Sequence, residues 1–283
     1  MAASAKTLTI DNHTLDGDWT VVLPRRGKQR RHSFRIRSPE QLQQQQQQQQ
    51  PWAPIDLETD AVRKLKLMQK MQICMKKMEN SPFYHTLLDQ IQTPEIFCCF
   101  HRVLGSEMKM QMVIYGIGSI ESYEPPRLQL SLAILLKRKF SWIGDIEVFD
   151  PVLSTTECQV LEALGCSVLS INEQGQRCAQ KPTMFYMPHC ESMLYDNLLR
   201  ANWRVELLNH VVLFGNSFDA YEKNVSYSKN SAMVDSTRHI LAIRQFTKEF
   251  RIQTVSDDYF GAFHTSSWHF FSPVRETELQ YID

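Results

Sequence analysis

The chain has 283 residues, of which 43% are hydrophobic, so it is long enough for one sizeable core with flexible extensions. Its 31 basic and 31 acidic residues cancel, which excludes an overall field that would attract nucleic acid or a membrane. No apolar run approaches the roughly 20 residues of a membrane-spanning helix, and no secretory signal is visible, so we expect a soluble intracellular chain without a membrane partner.

Residues 1–55 predict a disordered arm. They hold eight basic and four acidic residues and include a tract of eight glutamines before Pro51, so they offer little apolar surface to offset the entropy of ordering. The segment 25–37 contains seven basic residues and no acid, a pattern typical of a nuclear-import signal or of a solubilising tail. Aromatic residues for stacking on bases are nearly absent, so we favour import over direct nucleic-acid binding.

Residues 56–109 predict a helical lead-in packed on the domain. The run 56–79 is amphipathic, and we interpret its apolar stripe as a packing face rather than as a partner-binding groove. The stripe consists of Leu65, Met68, Met71 or Gln72, and Met75. Ser81 and Pro82 are typical of the N-cap and first residue of a second helix that ends near Ile91. Two helices are thus expected before the sheet.

From residue 110 onward, short β-branched or aromatic runs alternate with helical segments. The predicted strands are QMVIYG, DIEVFDP, CSVLS, TMFYMP, HVVLFGNSF, FRIQTV and SSWHFF, the last of them antiparallel. The predicted helices between them are 127–139, 155–164, 192–203 and 234–246. This alternation favours an α/β three-layer sandwich with a mostly parallel, Rossmann-like sheet over residues 110–283.

A candidate pocket lies at one rim of the predicted sheet. Ligands of open parallel sheets bind outside the carboxyl ends of the strands, where the strand order reverses. With the order 3-2-1-4-5, this switch point lies between the first and fourth predicted strands. The rim residues that we take as a candidate small-molecule pocket are Gly116, Gly118, Asp150, His189, Cys190, Asn216 and Ser217.

The glycines of this rim resemble the start of a dinucleotide fingerprint, Gly116-x-Gly118. The match is weak, because Glu121 replaces the third glycine and Pro125-Pro126 are expected to delay the next helix. A carboxylate at this point disfavours a phosphate ligand. Asp150 fits either a ribose hydroxyl contact or a turn.

His189 and Cys190 are adjacent at a strand end, so their side chains should diverge and not form a nucleophile–base dyad. A metal site would also need Asp150, His264 or His269, and their spacing is not diagnostic. The seven cysteines include no Cys-x-x-Cys pair, which indicates reduced, mostly buried thiols. For the pair we favour a helix-capping and packing role over catalysis or metal binding. We assign no catalytic residue, metal or cofactor, and leave capping or ligand contact open for Asn216 and Ser217.

Several strings carry a family resemblance: VIYGIGSI, VFDPV, LEALGCSVLSINEQG, TMFYMPHCESMLYDNLLRANW and VVLFGNSFDAY. In this order and spacing they resemble the Sensitivity to Red Light Reduced family, and DGDWTVVLPRRGKQRR looks like the N-terminus of its plant members. The glutamine tract departs from the family pattern.

The resemblance implies a regulatory protein in phytochrome B-dependent red-light signalling, circadian-clock input and flowering-time control. It also implies signalling proteins as partners, and a location in nucleus and cytoplasm. No enzymatic activity or cofactor is carried over. The alternatives are a small-molecule-binding protein or enzyme at the rim, either methyltransferase-like or related to haem or metal.

Overall fold

A seven-stranded sheet in the order β3-β2-β1-β4-β5-β7-β6 forms the centre of the molecule in the computed structural model. The structure describes residues 51–54, 56–58, 60–227, 236–253, 257–273, 275, 277 and 279. The strands are β1 (Met110–Tyr115), β2 (Ile143–Phe149), β3 (Cys166–Val168), β4 (Thr183–Met187), β5 (Val211–Asn216), β6 (Thr247–Arg251) and β7 (Ser266–Phe271). The first five strands are parallel, and β7 is antiparallel to β5 and β6. The predicted order of the first five strands and the antiparallel last strand are therefore confirmed.

Helices cover both faces of this sheet. They are α1 (Ala61–Glu79), α2 (Pro82–Gln92), α3 (Pro94–Leu104), α4 (Glu124–Lys139), α5 (Thr155–Ala163), α6 (Ser192–Ala201), α7 (Val205–Leu208), α8 (Phe218–Tyr227), α9 (Arg238–Ile243) and α10 (Asp257–Phe263). One face packs against α1 to α5 and α10, and the other against α6 to α9. All five residues of β4 are buried, as expected for a strand covered on both sides. The three-layer α/β sandwich is confirmed, and within the described ranges no helix is long and apolar enough to cross a membrane.

The expectation of two helices before the sheet was wrong, because α3 forms a third. Its signal is present in the sequence as apolar residues at helical spacing behind Pro94 at the first helical position. The buried residues of this helix are Ile96, Cys99, Phe100, Val103 and Leu104. The short helices α7 and α10 were also missed. The expected cap of α2 is confirmed, since Ser81 Oγ accepts the Tyr84 N–H at 3.1 Å.

Two later boundaries also differ from the expectation. Strand β6 begins at Thr247, three residues before the predicted run FRIQTV, whose Thr254 and Val255 lie outside the described residues. The predicted helix 234–246 is α9 followed by a turn of 3₁₀-helix, Arg244–Phe246, and its first two residues lie outside the described residues. Short elements near a sheet edge have few periodic residues to mark their ends.

The crossover from β3 to β4, residues 169–182, contains no helix among these described residues. Side-chain bonds hold it instead. Arg177 pairs with Glu147 of β2 and, at 2.9 Å, with Glu173. The buried Asn202 accepts the Ala179 N–H at 2.7 Å and donates to the Arg177 carbonyl at 2.8 Å. A polar network thus anchors the loop where a crossover helix would commonly pack.

The described contacts at the N-terminal end begin at Pro51, before the predicted boundary at residue 55. The Trp52 N–H donates to the Ser170 carbonyl at 2.7 Å, and Pro51 forms an isolated bridge with Ile171. The Trp52 ring lies edge-on to Phe149 at 5.2 Å between centroids. Residues 1–50, including the basic segment 25–37 and the glutamine tract, lie outside the described residues.

Candidate functional site at the switch-point rim

The chain turns a tight corner at the end of β4, and one amide holds it. His189 adopts a left-handed φ of 57°, which is uncommon for a residue with a side chain. The Asn216 side chain accepts the His189 N–H at 2.9 Å through Oδ1 and donates to the Cys190 carbonyl at 3.0 Å through Nδ2. Because Asn216 ends the neighbouring strand β5, this pair of bonds fastens the corner to the sheet.

Tyr195 of α6 also stabilises this corner, through hydrogen bonds of its hydroxyl. Its hydroxyl donates to the Met187 carbonyl and accepts the Asn216 N–H at 3.0 Å. The ring lies against Gly215, where an added Cβ would stand 2.6 Å from the ring atom Cε1. Position 215 therefore requires glycine to admit the tyrosine. Sequence analysis missed Tyr195, although a tyrosine three residues into the predicted helix was a readable signal.

The Cys190 thiol packs beneath the first glycine of the loop after β1. Its Sγ donates to the Tyr115 carbonyl at 3.2 Å, and a Cβ added at Gly116 would lie only 2.5 Å from it. Burial, with smaller contributions from the Asp150 and Glu191 charges, raises the pKa of the Cys190 thiol far above its usual range. The thiol is therefore neutral at physiological pH and a poor nucleophile or metal ligand.

The His189 ring bonds elsewhere. Its Nε2 lies 3.1 Å from the His264 carbonyl, which requires the proton on Nε2, and its ring centroid is 4.4 Å from that of His264. Burial lowers the pKa of His189, so the imidazole is neutral. The imidazole and the Cys190 thiol thus bond to carbonyls on opposite sides of β4 and form no dyad.

The backbone donors of the glycine loop are bonded to the protein's own carboxylates. Asp150 accepts the Gly118 N–H at 2.7 Å and the Val152 N–H at 3.0 Å. Glu157 accepts the Glu121 N–H at 3.0 Å and the Ser119 hydroxyl at 2.7 Å. Donors of this kind bind phosphate in dinucleotide sites. Here two internal carboxylates take that place.

Glu157 has a second role at the start of α5. Ser154 and Glu157 form a capping box, in which each side chain bonds the other residue's backbone N–H. The Ser-x-x-Glu spacing was readable in the sequence as a helix start. The additional reach of Glu157 to the glycine loop, 36 residues away in the chain, was not.

Two features predicted to disfavour a phosphate ligand, a free Glu121 carboxylate and a delayed helix, are not found. Glu121 is no free charge at the rim, because Arg63 of α1 binds its two carboxylate oxygens at 2.7 and 2.6 Å and binds Asp56 at 2.7 Å. The prolines 125 and 126 lie in the first turn of α4, which begins at Glu124, so they do not delay the helix. The obstacle to phosphate is instead the occupied backbone donors.

The remaining candidates are dispersed. Ser217 is fully buried, its N–H donates to the Thr265 carbonyl at 2.7 Å, and its hydroxyl has no hydrogen-bond partner among the described residues. His269 lies within β7 opposite Leu213, away from the β4 corner. Of the candidate metal ligands, the rings of His189 and His264 lie side by side, but the described residues include no group of three or more His, Cys, Asp or Glu side chains placed for a metal.

A cavity of about 650 Å³ lies away from this rim, beside β6. Glu222, Arg244 and Glu249 line it together with Leu241, Ala242, Gln245 and Thr247. Arg244 neutralises its acidic wall, with ion pairs to Glu222 at 2.8 Å and to Asp219 at 2.8 Å. None of the candidate rim residues lines this cavity.

Comparisons with known proteins identify relatives along the whole chain. A family model described as SRR1 domain matches residues 87–270. A protein named SENSITIVITY TO RED LIGHT REDUCED 1 from Arabidopsis thaliana is 56% identical over 272 residues, which covers 96% of this chain and 97% of that protein. An SRR1-like protein of Mus musculus is 41% identical over 128 residues, covering 43% of this chain and 49% of the mouse protein.

Similar solved structures include two methyltransferases. The plantazolicin methyltransferase BpumL in complex with SAH has a TM-score of 0.31 and 10% identity, covering 75% of this chain and 98% of that one. The 23S rRNA methyltransferase ErmE has a TM-score of 0.34 and 8% identity, covering 64% of this chain and 68% of that one.

Replacing Asn216 with alanine should lower the free energy of unfolding by about 2–4 kcal/mol, because it removes two bonds to the corner and leaves the part-buried His189 N–H unpaired. Urea unfolding measures this cost. The matched control is Asn197→Ala, which removes two exposed bonds, one donated to the Gln174 carbonyl and one accepted from Arg200, and should cost less than about 1 kcal/mol. Equal costs for the two variants would show that the amide does not hold the corner.

The Cys190 thiol should resist alkylation in the folded protein, because it is buried, neutral and bonded to Tyr115. With iodoacetamide at pH 8, mass spectrometry of digested protein should find the exposed Cys98 modified and Cys190 modified only after denaturation. Modification of Cys190 as fast as Cys98 under native conditions would mean that the corner opens readily and that the thiol is available for chemistry.

Proposed function

This chain belongs to the SRR1 family, and we propose on that basis that it is a regulator of red-light signalling. The observation that carries the proposal is the 56% identity to the Arabidopsis relative named SENSITIVITY TO RED LIGHT REDUCED 1. The alignment covers nearly the full length of both proteins, so the arm and the lead-in helices are matched as well as the α/β domain. A shared function is expected to need all of these parts.

The geometry of the rim supports a regulatory role over an enzymatic one. Cys190 is a neutral thiol bonded to a carbonyl, His189 donates to another carbonyl, and Asp150 bonds the glycine loop. Groups that serve as nucleophile, base or phosphate-binding donors need free valences directed at a ligand. At this rim the three side chains bond the protein's own backbone instead.

A finer description of the role also forms part of the proposal. We propose that the signalling is phytochrome B-dependent, that it feeds into the circadian clock and flowering time, and that the protein works with signalling partners in nucleus and cytoplasm. The family resemblance supports the phytochrome B dependence, the input to the circadian clock and the role in flowering time. The uninterrupted basic segment 25–37 supports entry into the nucleus.

Expression of this chain in Arabidopsis seedlings that lack the 56% identical relative should restore seedling growth inhibition under red light. The variants His189→Ala and Cys190→Ser should restore it as well as the unchanged chain does, when all are compared at equal protein abundance. Serine at position 190 can still donate to the Tyr115 carbonyl, so this variant tests the thiol separately from the hydrogen bond.

The matched control for this experiment is Leu213→Ala, a buried strand variant that should cost about 2–5 kcal/mol without touching the rim. Failure of the unchanged chain to restore the response would contradict the red-light role. Loss of response in the two rim variants alone, with near-normal melting temperatures, would favour a small-molecule site at the rim.

Nuclear entry is tested with the full chain fused to a cargo too large to diffuse through nuclear pores. Replacement of Arg25, Arg26, Lys28, Arg30 and Arg31 with alanine should reduce nuclear fluorescence several-fold, because import receptors bind clustered positive charge. Replacing five exposed basic residues of the α/β domain is the control and should leave it unchanged. Full nuclear accumulation of the first variant would exclude this segment as the signal.

A further inference from the structure

Helix α1 has two faces of different character. Its inner face is buried in the core through Leu67, Met71, Cys74, Met75 and Met78. Leu65, expected in the same stripe, lies about 120° around the helix from Met71 and is 59% exposed. The apolar character of this helix therefore extends beyond the surface that its own domain covers.

The exposed side forms a surface that we call the α1 outer face, defined by Val62, Leu65, Lys66, Ile73 and Lys76. Val62 and Ile73 are 57% and 68% exposed. Because residues three, four and seven apart share one side of a helix, these apolar side chains follow a line about 16 Å long. Isolated exposed aliphatic residues are ordinary, whereas an aligned series on one helix is typical of a contact surface.

Nearly all the charged residues of α1 are basic. It contains six basic residues and a single acid, Glu79. Arg63 pairs with Glu121 and Asp56, and Lys77 lies within 4 Å of Glu124 and Asp258. The outer-face lysines, Lys66 and Lys76, are exposed and form no ion pair with any residue in the described part of the chain. The apolar line is therefore flanked by positive charge that has no intramolecular counterpart there.

We infer that the α1 outer face is the docking site for an acidic, amphipathic helix of a partner protein. Such a helix would place apolar residues at i, i+3 or i+4, and i+11 against Val62, Leu65 and Ile73. Its carboxylates would meet Lys66 and Lys76, which favours encounter and sets orientation. The opposite face of the same helix is packed in the core, so the outer face is preorganised for binding. This docking site is inferred independently of the proposed red-light role.

The same features disfavour a lipid surface. A helix that binds a membrane inserts its apolar side, commonly with Trp or Phe, into the acyl boundary. The larger apolar side of α1 is buried in its own domain, and the outer face has no aromatic residue. Its polar positions include the uncharged Gln69 and Gln72, which suit a protein contact. A second copy of this chain would bring a like positive charge to the contact.

The experiment places the photo-cross-linking residue benzoylphenylalanine at position 65 of the full chain, expressed in plant cells. Mass spectrometry sequences the cross-linked peptides, and the same residue at the exposed Met108 is the positional control. In parallel, the purified full chain is tested for binding to phosphatidylserine vesicles and for self-association by sedimentation velocity. Melting temperature verifies that every variant folds.

The expected result is a recurrent cross-linked peptide that is acidic and has helical apolar spacing, absent from the Met108 control. The double variant Lys66→Glu/Lys76→Glu should reduce its yield about tenfold, while Lys109→Glu/Lys139→Glu, an equal charge change elsewhere, should leave it nearly unchanged. Cross-links to this chain itself, vesicle binding without a protein cross-link, a basic or neutral peptide, or yield indifferent to the charge reversal would each overturn the inference.

Discussion

The switch point of this sheet depends on the Asn216 amide. The chain leaves β4 through a non-glycine residue in the left-handed region, which would be unfavourable alone. Asn216 bonds both the N–H of His189 and the carbonyl of Cys190, and so offers the corner the partners that a strand or helix would supply. Tyr195 fixes the backbone of Asn216 in turn. The Asn216 side chain at the end of β5 thus determines how the chain turns after the neighbouring strand β4.

The same principle operates around the rest of the rim. Asp150 and Glu157 bond the donors of the glycine loop, and Arg63 neutralises the Glu121 carboxylate that projects from it. The side chains of His189, Cys190 and Asn216 likewise have internal partners, whereas the Ser217 hydroxyl has none among the described residues. A protein whose rim is occupied in this way is suited to act through its outer surfaces, which is consistent with regulation and with the exposed basic face of α1.

Much of the fold could be predicted, because buried strands are long apolar runs and their alternation with helices allows few topologies. The rim location of His189, Cys190 and Asn216 followed from strand ends in the same way. What each side chain bonds could not be predicted. Arg63 and Glu121 are 58 residues apart, and Cys190 and Tyr115 are 75 apart, so only the folded structure brings them together. Helix α3 was not predicted, although its apolar residues recur at helical spacing.

The central claim is that side chains of the protein itself occupy the backbone N–H groups of the rim loops. Amide hydrogen exchange measured by NMR on the full chain tests this most directly. The account predicts that the N–H groups of Gly118, Glu121 and His189 exchange slowly, like those of neighbouring buried strands, although all three lie in loops. Exchange as fast as that of an exposed loop would contradict it, and would show a rim with free donors open to a ligand.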